Sequence, residues 1–134
     1  RVTADNPFTD PDSIDRVVEA IAPAGADYAI EMNLPVGTAG EALTRKALTF
    51  IDEVALIPRW REHVTLYAKE HPGAMKCAFL DARPECNHPD LSFTVDDRAD
   101  YEHVRLVSEN LPNSHFDLKH LIAIADEIAV RSFV

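Results

Sequence analysis

Apolar residues recur at Ile14, Val17, Val18 and Ile21, the i, i+3, i+4, i+7 spacing of an amphipathic helix. Asp10-Pro11-Asp12-Ser13 supplies its start, with Asp10 as N-cap and Pro11 at the first helical position, and Pro23 marks its end. Asp27–Met32 then alternates loosely as a strand. A loop with Pro35, Gly37 and Gly40 leads to a second helix from about Glu41, whose buried stripe is Leu43, Ala47, Phe50, Ile51 and Val54. Pro58 punctuates it, and Trp60, Val64, Tyr67 and Ala68 predict a third, short helix ending before Pro72-Gly73.

The second half repeats the alternation. Met75–Leu80 and Leu91–Val95 read as strands on either side of the polar, proline-containing loop Asp81–Asp90. Asp97 and Asp100 form a variant capping box ahead of a helix carrying Tyr101, Val104 and Val107. Asp117 caps a last helix, with Phe116 and Leu121 spaced for a hydrophobic staple. Its apolar face is Leu118, Leu121, Ile122, Ala125, Ile128 and Ala129. Alternating strands and helices predict one α/β domain over residues 1–134. Arg1–Ala4 reads as the end of a strand, and the chain opens without methionine, which suggests a trimmed or processed piece.

The net charge of −10 argues against nucleic acid as the main partner, because phosphate neutralisation needs a basic surface. A nucleotide held through a divalent cation is compatible with that charge. No apolar run approaches the ~20 residues of a membrane span and nothing resembles a cleavable signal, so the simplest compartment is the cytoplasm. Two cysteines, Cys77 and Cys86, are too few for a disulfide scaffold and lack zinc-ligand spacing, which leaves packing or loop roles.

Ligands of α/β proteins bind beyond the C-terminal ends of strands, where two aspartates fall. Asp5 follows Arg1–Ala4 and Asp96 follows Ser92–Val95. On neighbouring strands their carboxylates would share a cleft and a Mg²⁺, an ion that takes one or two carboxylates plus substrate phosphates. An aspartate in such a place also serves as turn former or cap. His63 and Tyr67 lie four apart on one helical face. His71 and His88 sit beside prolines at segment ends, and His103, His115 and His120 have no partner at metal-ligand spacing. There is no Ser/His/Asp or Cys/His signature and no Gly-rich phosphate loop.

Four blocks, in order, resemble the spore-coat-polysaccharide cytidylyltransferase family. Arg1-Val2-Thr3-Ala4-Asp5-Asn6-Pro7-Phe8-Thr9-Asp10-Pro11 is similar to its R-x-T-x-D-x-P-x-x-D-P stretch. Pro35–Glu41 resembles its P-x-G-x-x-x-E loop. Arg61-Glu62-His63-Val64-Thr65, with His71-Pro72 downstream, resembles R-E-H-V-T … H-P, and Thr94-Val95-Asp96 through Asp100 resembles T-V-D-x-x-x-D. The resemblance implies a Rossmann-like, glycosyltransferase-A-type sheet flanked by helices, of which this chain is the C-terminal portion with the N-terminal strands missing. It implies transfer of a nucleotidyl group, usually from CTP, to a sugar acid or sugar phosphate. By the same likeness Asp5 and Asp96 are the catalytic Mg²⁺ ligands. Arg61 and His63 become sugar or phosphate contacts, and Glu41 an acceptor for sugar hydroxyls.

Two departures qualify it. Ala39 stands where many relatives carry an acidic residue, and no G-S-x-R-L-P-G-K loop precedes Arg1. A parallel sheet lacking its first strands exposes an edge, which a homodimer partner would cover. The alternative is therefore a non-catalytic, truncated homologue serving as a dimerisation or interaction module.

Overall fold

The computed structural model describes residues 1–112 and 116–131. Its centre is strand β1 (Tyr28–Met32), antiparallel to β2 (Glu41–Leu43) and parallel to β3 (Cys77–Asp81), in the order β2–β1–β3. Helix α1 (Pro11–Ala24) lies across one face of all three strands. Helices α2 (Arg45–Val54), α3 (Pro58–Glu62) and α4 (Leu66–Glu70) connect β2 to β3 on the other side. Helices α5 (Arg98–Asn110) and α6 (Leu118–Arg131) close a neighbouring core. The fold is α/β, a small sheet flanked by helices.

Register explains why α1 fits. Ala42, Ala29 and Ala78 are paired across the three strands, giving one row of small side chains on which Val17 is fully buried. The next row, Leu43–Tyr28–Cys77, points the opposite way, because side chains alternate along a strand. Tyr28 and Ile30 there pack against Ile51, Ala55 and Ala68 from α2 and α4. The third row is Glu41–Ile30–Phe79, so Glu41 faces α4 rather than α1. The third core joins Phe8, Phe93, Val104, Val107 and the inner face of α6.

Capping follows the sequence closely. Asp10 accepts from the Asp12 amide, and Gly25 closes α1 in a left-handed conformation at φ 56°. Asp97 and Asp100 form the reciprocal capping box of α5, and Asp117 accepts from the His120 amide at 2.9 Å. Arg83 reaches Asp10 at 3.0 Å and Arg16 reaches Glu31 at 3.2 Å, tying the start of α1 to the ends of β3 and β1.

Four expectations are corrected. Val18 is 57% exposed, whereas Val17 carries the face against the alanine row. Glu41–Leu43 is a strand, and the helix begins at Arg45, because Thr44 caps it by accepting from the Ala47 amide at 3.1 Å. The helix drawn through Trp60–Ala68 is broken at His63–Thr65 into α3 and α4, since Thr65 turns inward to Glu41. Leu91–Val95 is extended but makes only one isolated bridge, Ser92 to Val36. Pro35 before that bridge lacks an N–H, and Gly37 after it turns away at φ 88°, so no ladder propagates. Cys77 and Cys86 are free thiols, both pushed up by burial.

Candidate functional site

Gly37 is the meeting point of three sequence blocks. A Cβ there would stand 2.8 Å from the Thr94 amide nitrogen and 2.9 Å from Asn6 Oδ1. Only a glycine tolerates both that approach and a φ of 88°. Backbone bonds complete the junction: Phe93 N–H donates to Val36 C=O at 2.8 Å and Val95 N–H to Asp5 C=O at 2.9 Å. Asp5 and Asp96 are thereby presented from adjacent backbone segments.

Hydrogen bonding separates these two aspartates from their neighbours. Asp97 accepts from the amides of Ala99 and Asp100, and Asp100 accepts from those of Asp96 and Asp97. Asp10 holds the start of α1. Asp5 and Asp96 are exposed, and among the described residues neither carboxylate has a hydrogen-bond or ion-pair partner. No group of three or more His, Cys, Asp or Glu among the described residues is arranged to hold a metal. Two free carboxylates are nevertheless the donor set Mg²⁺ uses when phosphates and water complete its shell.

Glu41 is the centre of a separate, buried charge cluster. Its carboxylate accepts from Tyr28 OH at 2.8 Å and Arg1 Nη1 at 2.7 Å, from Thr65 Oγ1, and pairs with Lys69 Nζ at 2.6 Å. Burial pushes this carboxyl up, but the Lys69 ammonium and the hydrogen bonds from Tyr28 and Arg1 outweigh it and hold Glu41 below its usual range. The Tyr28 phenol is driven the other way, by burial and by the adjacent Glu41 charge. With only 6% of its side chain exposed and donors from four residues, Glu41 has no lone pair free for a sugar hydroxyl while these contacts hold.

Two cavities adjoin this centre. One, of about 310 Å³, runs from Asn6 and Gly37 past Ala39 to Glu41, Arg1 and Lys69. The other, of about 390 Å³, shares Arg1 and Lys69 and adds Arg59, His63 and Thr65. His63 thus shares a cavity with Arg1, Thr65 and Lys69, the residues that contact Glu41. Arg61 does not: it pairs with Asp52 at 2.9 Å and lines a separate, apolar cavity of about 400 Å³ with Leu48, Ile51 and Trp60. Tyr28, Thr65, Lys69 and Arg1 were not foreseen, although Thr65 and Lys69 stand four apart, the spacing of one helical face. The remaining histidines have other surroundings. His71 stacks on Tyr67 and His103 on Phe93, while His120 lies 3.1 Å from Asp117. His115 lies outside the described residues.

A small sheet flanked by helices, with two exposed aspartates on loops, makes this an α/β protein of the kind whose ligands sit beyond strand ends. Residues 1–127 match the family described as Cytidylyltransferase, and the chain belongs to that family. It is 37% identical over 106 residues to the spore coat polysaccharide biosynthesis protein SpsF of Bacillus subtilis (strain 168), covering 78% of this chain and 44% of that protein. An uncharacterized protein of Methanocaldococcus jannaschii is 28% identical over 127 residues, 95% of this chain and 52% of its own length. A solved cytidylyltransferase structure from Leptospira borgpetersenii superposes with a TM-score of 0.80 at 21% identity, over 94% of this chain and 54% of that one, which shows the shared fold. The chain spans about half the length of the curated relatives it matches.

Proposed function

We propose that this chain is the metal- and acceptor-binding part of a nucleotidyltransferase that activates a sugar acid or sugar phosphate with CTP for surface polysaccharide biosynthesis. The observation that carries the reading is the junction at Gly37, where three sequence blocks converge and leave the carboxylates of Asp5 and Asp96 free. These two residues would hold Mg²⁺, which neutralises charge building on the phosphoryl oxygens and the leaving pyrophosphate. Glu41 acts as a positioning residue: it fixes Lys69 and Arg1 at the cavity wall. His63 contributes an imidazole to the same wall, whereas Arg61 faces away from it.

The test is CTP-dependent pyrophosphate release by the whole gene product, in magnesium, with sugar acids and sugar phosphates as acceptors. Asp5→Asn and Asp96→Asn should each abolish it, together with Mn²⁺-induced line broadening of neighbouring amide resonances. Full activity in either variant sinks the metal assignment.

A second reading, a homodimerising or non-catalytic interaction module, is favoured by exposed Leu48, Leu56 and Ile57 beside the apolar cavity at Trp60. Light scattering decides it: a stable oligomer that ignores CTP and magnesium supports the module, and a monodisperse monomer rejects it. Cytoplasmic placement belongs to the same proposal. Among the described residues no helix is long and apolar enough to cross a membrane.

A further inference from the structure

Lys69, Arg1 and Arg59 surround one cavity, with His63 beside them and, among the described residues, no acidic side chain in its wall. The carboxylates that hold these cations stand elsewhere. Glu41 lies behind Lys69 and Arg1, its side chain 6% exposed against 41% and 33% for theirs. Arg59 is held by Glu70, which also accepts from Trp60 Nε1 at 2.8 Å. Three cations therefore share two carboxylates, and the balance of charge facing the cavity is positive. A guanidinium has five N–H donors and an ammonium three, so each cation keeps donors beyond those its carboxylate takes.

We propose that this cavity seats the anionic group, carboxylate or phosphate, of the acceptor sugar. The inference rests on the proposed function and adds to it the residues that choose the acceptor. Three observations converge on it. The chain carries a net charge of −10, so a cationic cavity opposes the field of the whole molecule and concentrates anions at one place. The cations are held in position before any ligand arrives, which removes part of the ordering cost of binding. The cavity also shares Arg1 and Lys69 with the one that reaches Asn6 and Gly37, so the two are neighbours across these side chains. A sugar anchored by its anion and extending past Arg1 and Lys69 would reach the neighbouring cavity at Asn6 and Gly37, where Gly37 meets the Thr94 backbone.

Trp60 is the chain's one tryptophan, and its bond to Glu70 couples it to Arg59, so its fluorescence reports on the cavity. The protein is titrated at constant ionic strength with gluconate, with glucose 1-phosphate and with neutral glucose. Saturable change with an anion and none with glucose is the expected result; tighter gluconate binding assigns a carboxylate, and tighter glucose 1-phosphate binding a phosphate. Arg59→Gln and Lys69→Gln should each weaken the anion about tenfold or more, the loss of a charge-assisted contact. Lys46→Gln, on an exposed side chain away from the cavity, should leave it unchanged. Equal binding of glucose, wild-type affinity in both cavity variants, or no saturation by either anion overturns the proposal. Mn²⁺ broadening at Asp5 and Asp96, measured on the same sample, keeps the two readings apart. Broadening without anion binding removes the cavity assignment alone, and anion binding without broadening removes the metal assignment alone.

Discussion

Thr65 donates its hydroxyl toward both carboxylate oxygens of Glu41, at 3.0 and 2.9 Å, and so fastens α4 to β2 across 24 residues of chain. Both groups are buried, so deleting one leaves the other desolvated. Thr65→Val should lower stability by about 1–2 kcal/mol. Glu41→Gln should cost more, roughly 2–3 kcal/mol, because Lys69 and Arg1 also lose their counter-charge at a partly buried site. Urea unfolding at unchanged slope measures both, and the double variant should cost less than the sum of the two.

The same carboxylate shapes the response to acid. Glu41 is held below its ordinary value of 4.5, so in that range the unfolded chain binds the proton more readily than the folded one. Its contribution is complete above about 4.5 and is lost as pH falls through the lower folded value. Asp10 works in the opposite direction. Burial raises its carboxyl above 3.8 despite Arg83, so its ionisation on raising the pH through that range opposes folding. Urea midpoints measured between neutral pH and the acid limb should fall on acidification, and Glu41→Gln should fall less than wild type. An acid limb of equal steepness in the variant would assign the loss to other groups.

Gly37 and Gly73 offer a paired test of close approach. At Gly37 an added methyl group meets the Thr94 amide at 2.8 Å with φ at 88°, whereas at Gly73 it meets nothing within 4 Å. Gly37→Ala should destabilise by about 1–3 kcal/mol, the range for a strained left-handed residue. Gly73→Ala should stay within roughly 0.5 kcal/mol of wild type. Amide exchange at Phe93 and Val95, whose bonds to Val36 and Asp5 hold the junction, should accelerate in the first variant only.

How far the sequence was legible depends on how local each cause is. Asp10, Asp97 and Asp117 act within three residues of themselves, and all three caps stand where the sequence puts them. Helices α1, α5 and α6 and strands β1 and β3 were equally readable, because burial periodicity is a local signal. The exchange of helix for strand at Glu41–Leu43 was not, since what holds it there is pairing with Tyr28–Ile30 and contacts with Thr65 and Lys69, all remote in sequence. Leu91–Val95 failed for a related reason: its composition suits a strand, but its neighbours, flanked by Pro35 and Gly37, cannot continue a ladder. Arg61 and His63 are two residues apart in one block, yet they line different cavities because α3 ends between that block's arginine and its threonine.

The run Asp96, Asp97, Asp100 separates chemistry from architecture in one stretch of chain. Asp97 accepts two amides at the start of α5, so Asp97→Ala should cost about 1–2 kcal/mol, as loss of an N-cap does. Asp96 contributes only its backbone N–H to that network and leaves its carboxylate exposed. Asp96→Asn should therefore unfold within roughly 0.5 kcal/mol of wild type, since no folded-state contact of its side chain is lost. Relief of repulsion among three neighbouring carboxylates acts in the same direction. Under the proposed function Asp96→Asn nonetheless abolishes pyrophosphate release, while Asp97→Ala retains it at temperatures where the variant is folded. Chemical denaturation and turnover, measured side by side on both variants, tell the two roles apart. A large stability loss in Asp96→Asn would make this aspartate a structural residue and leave Asp5 without its partner.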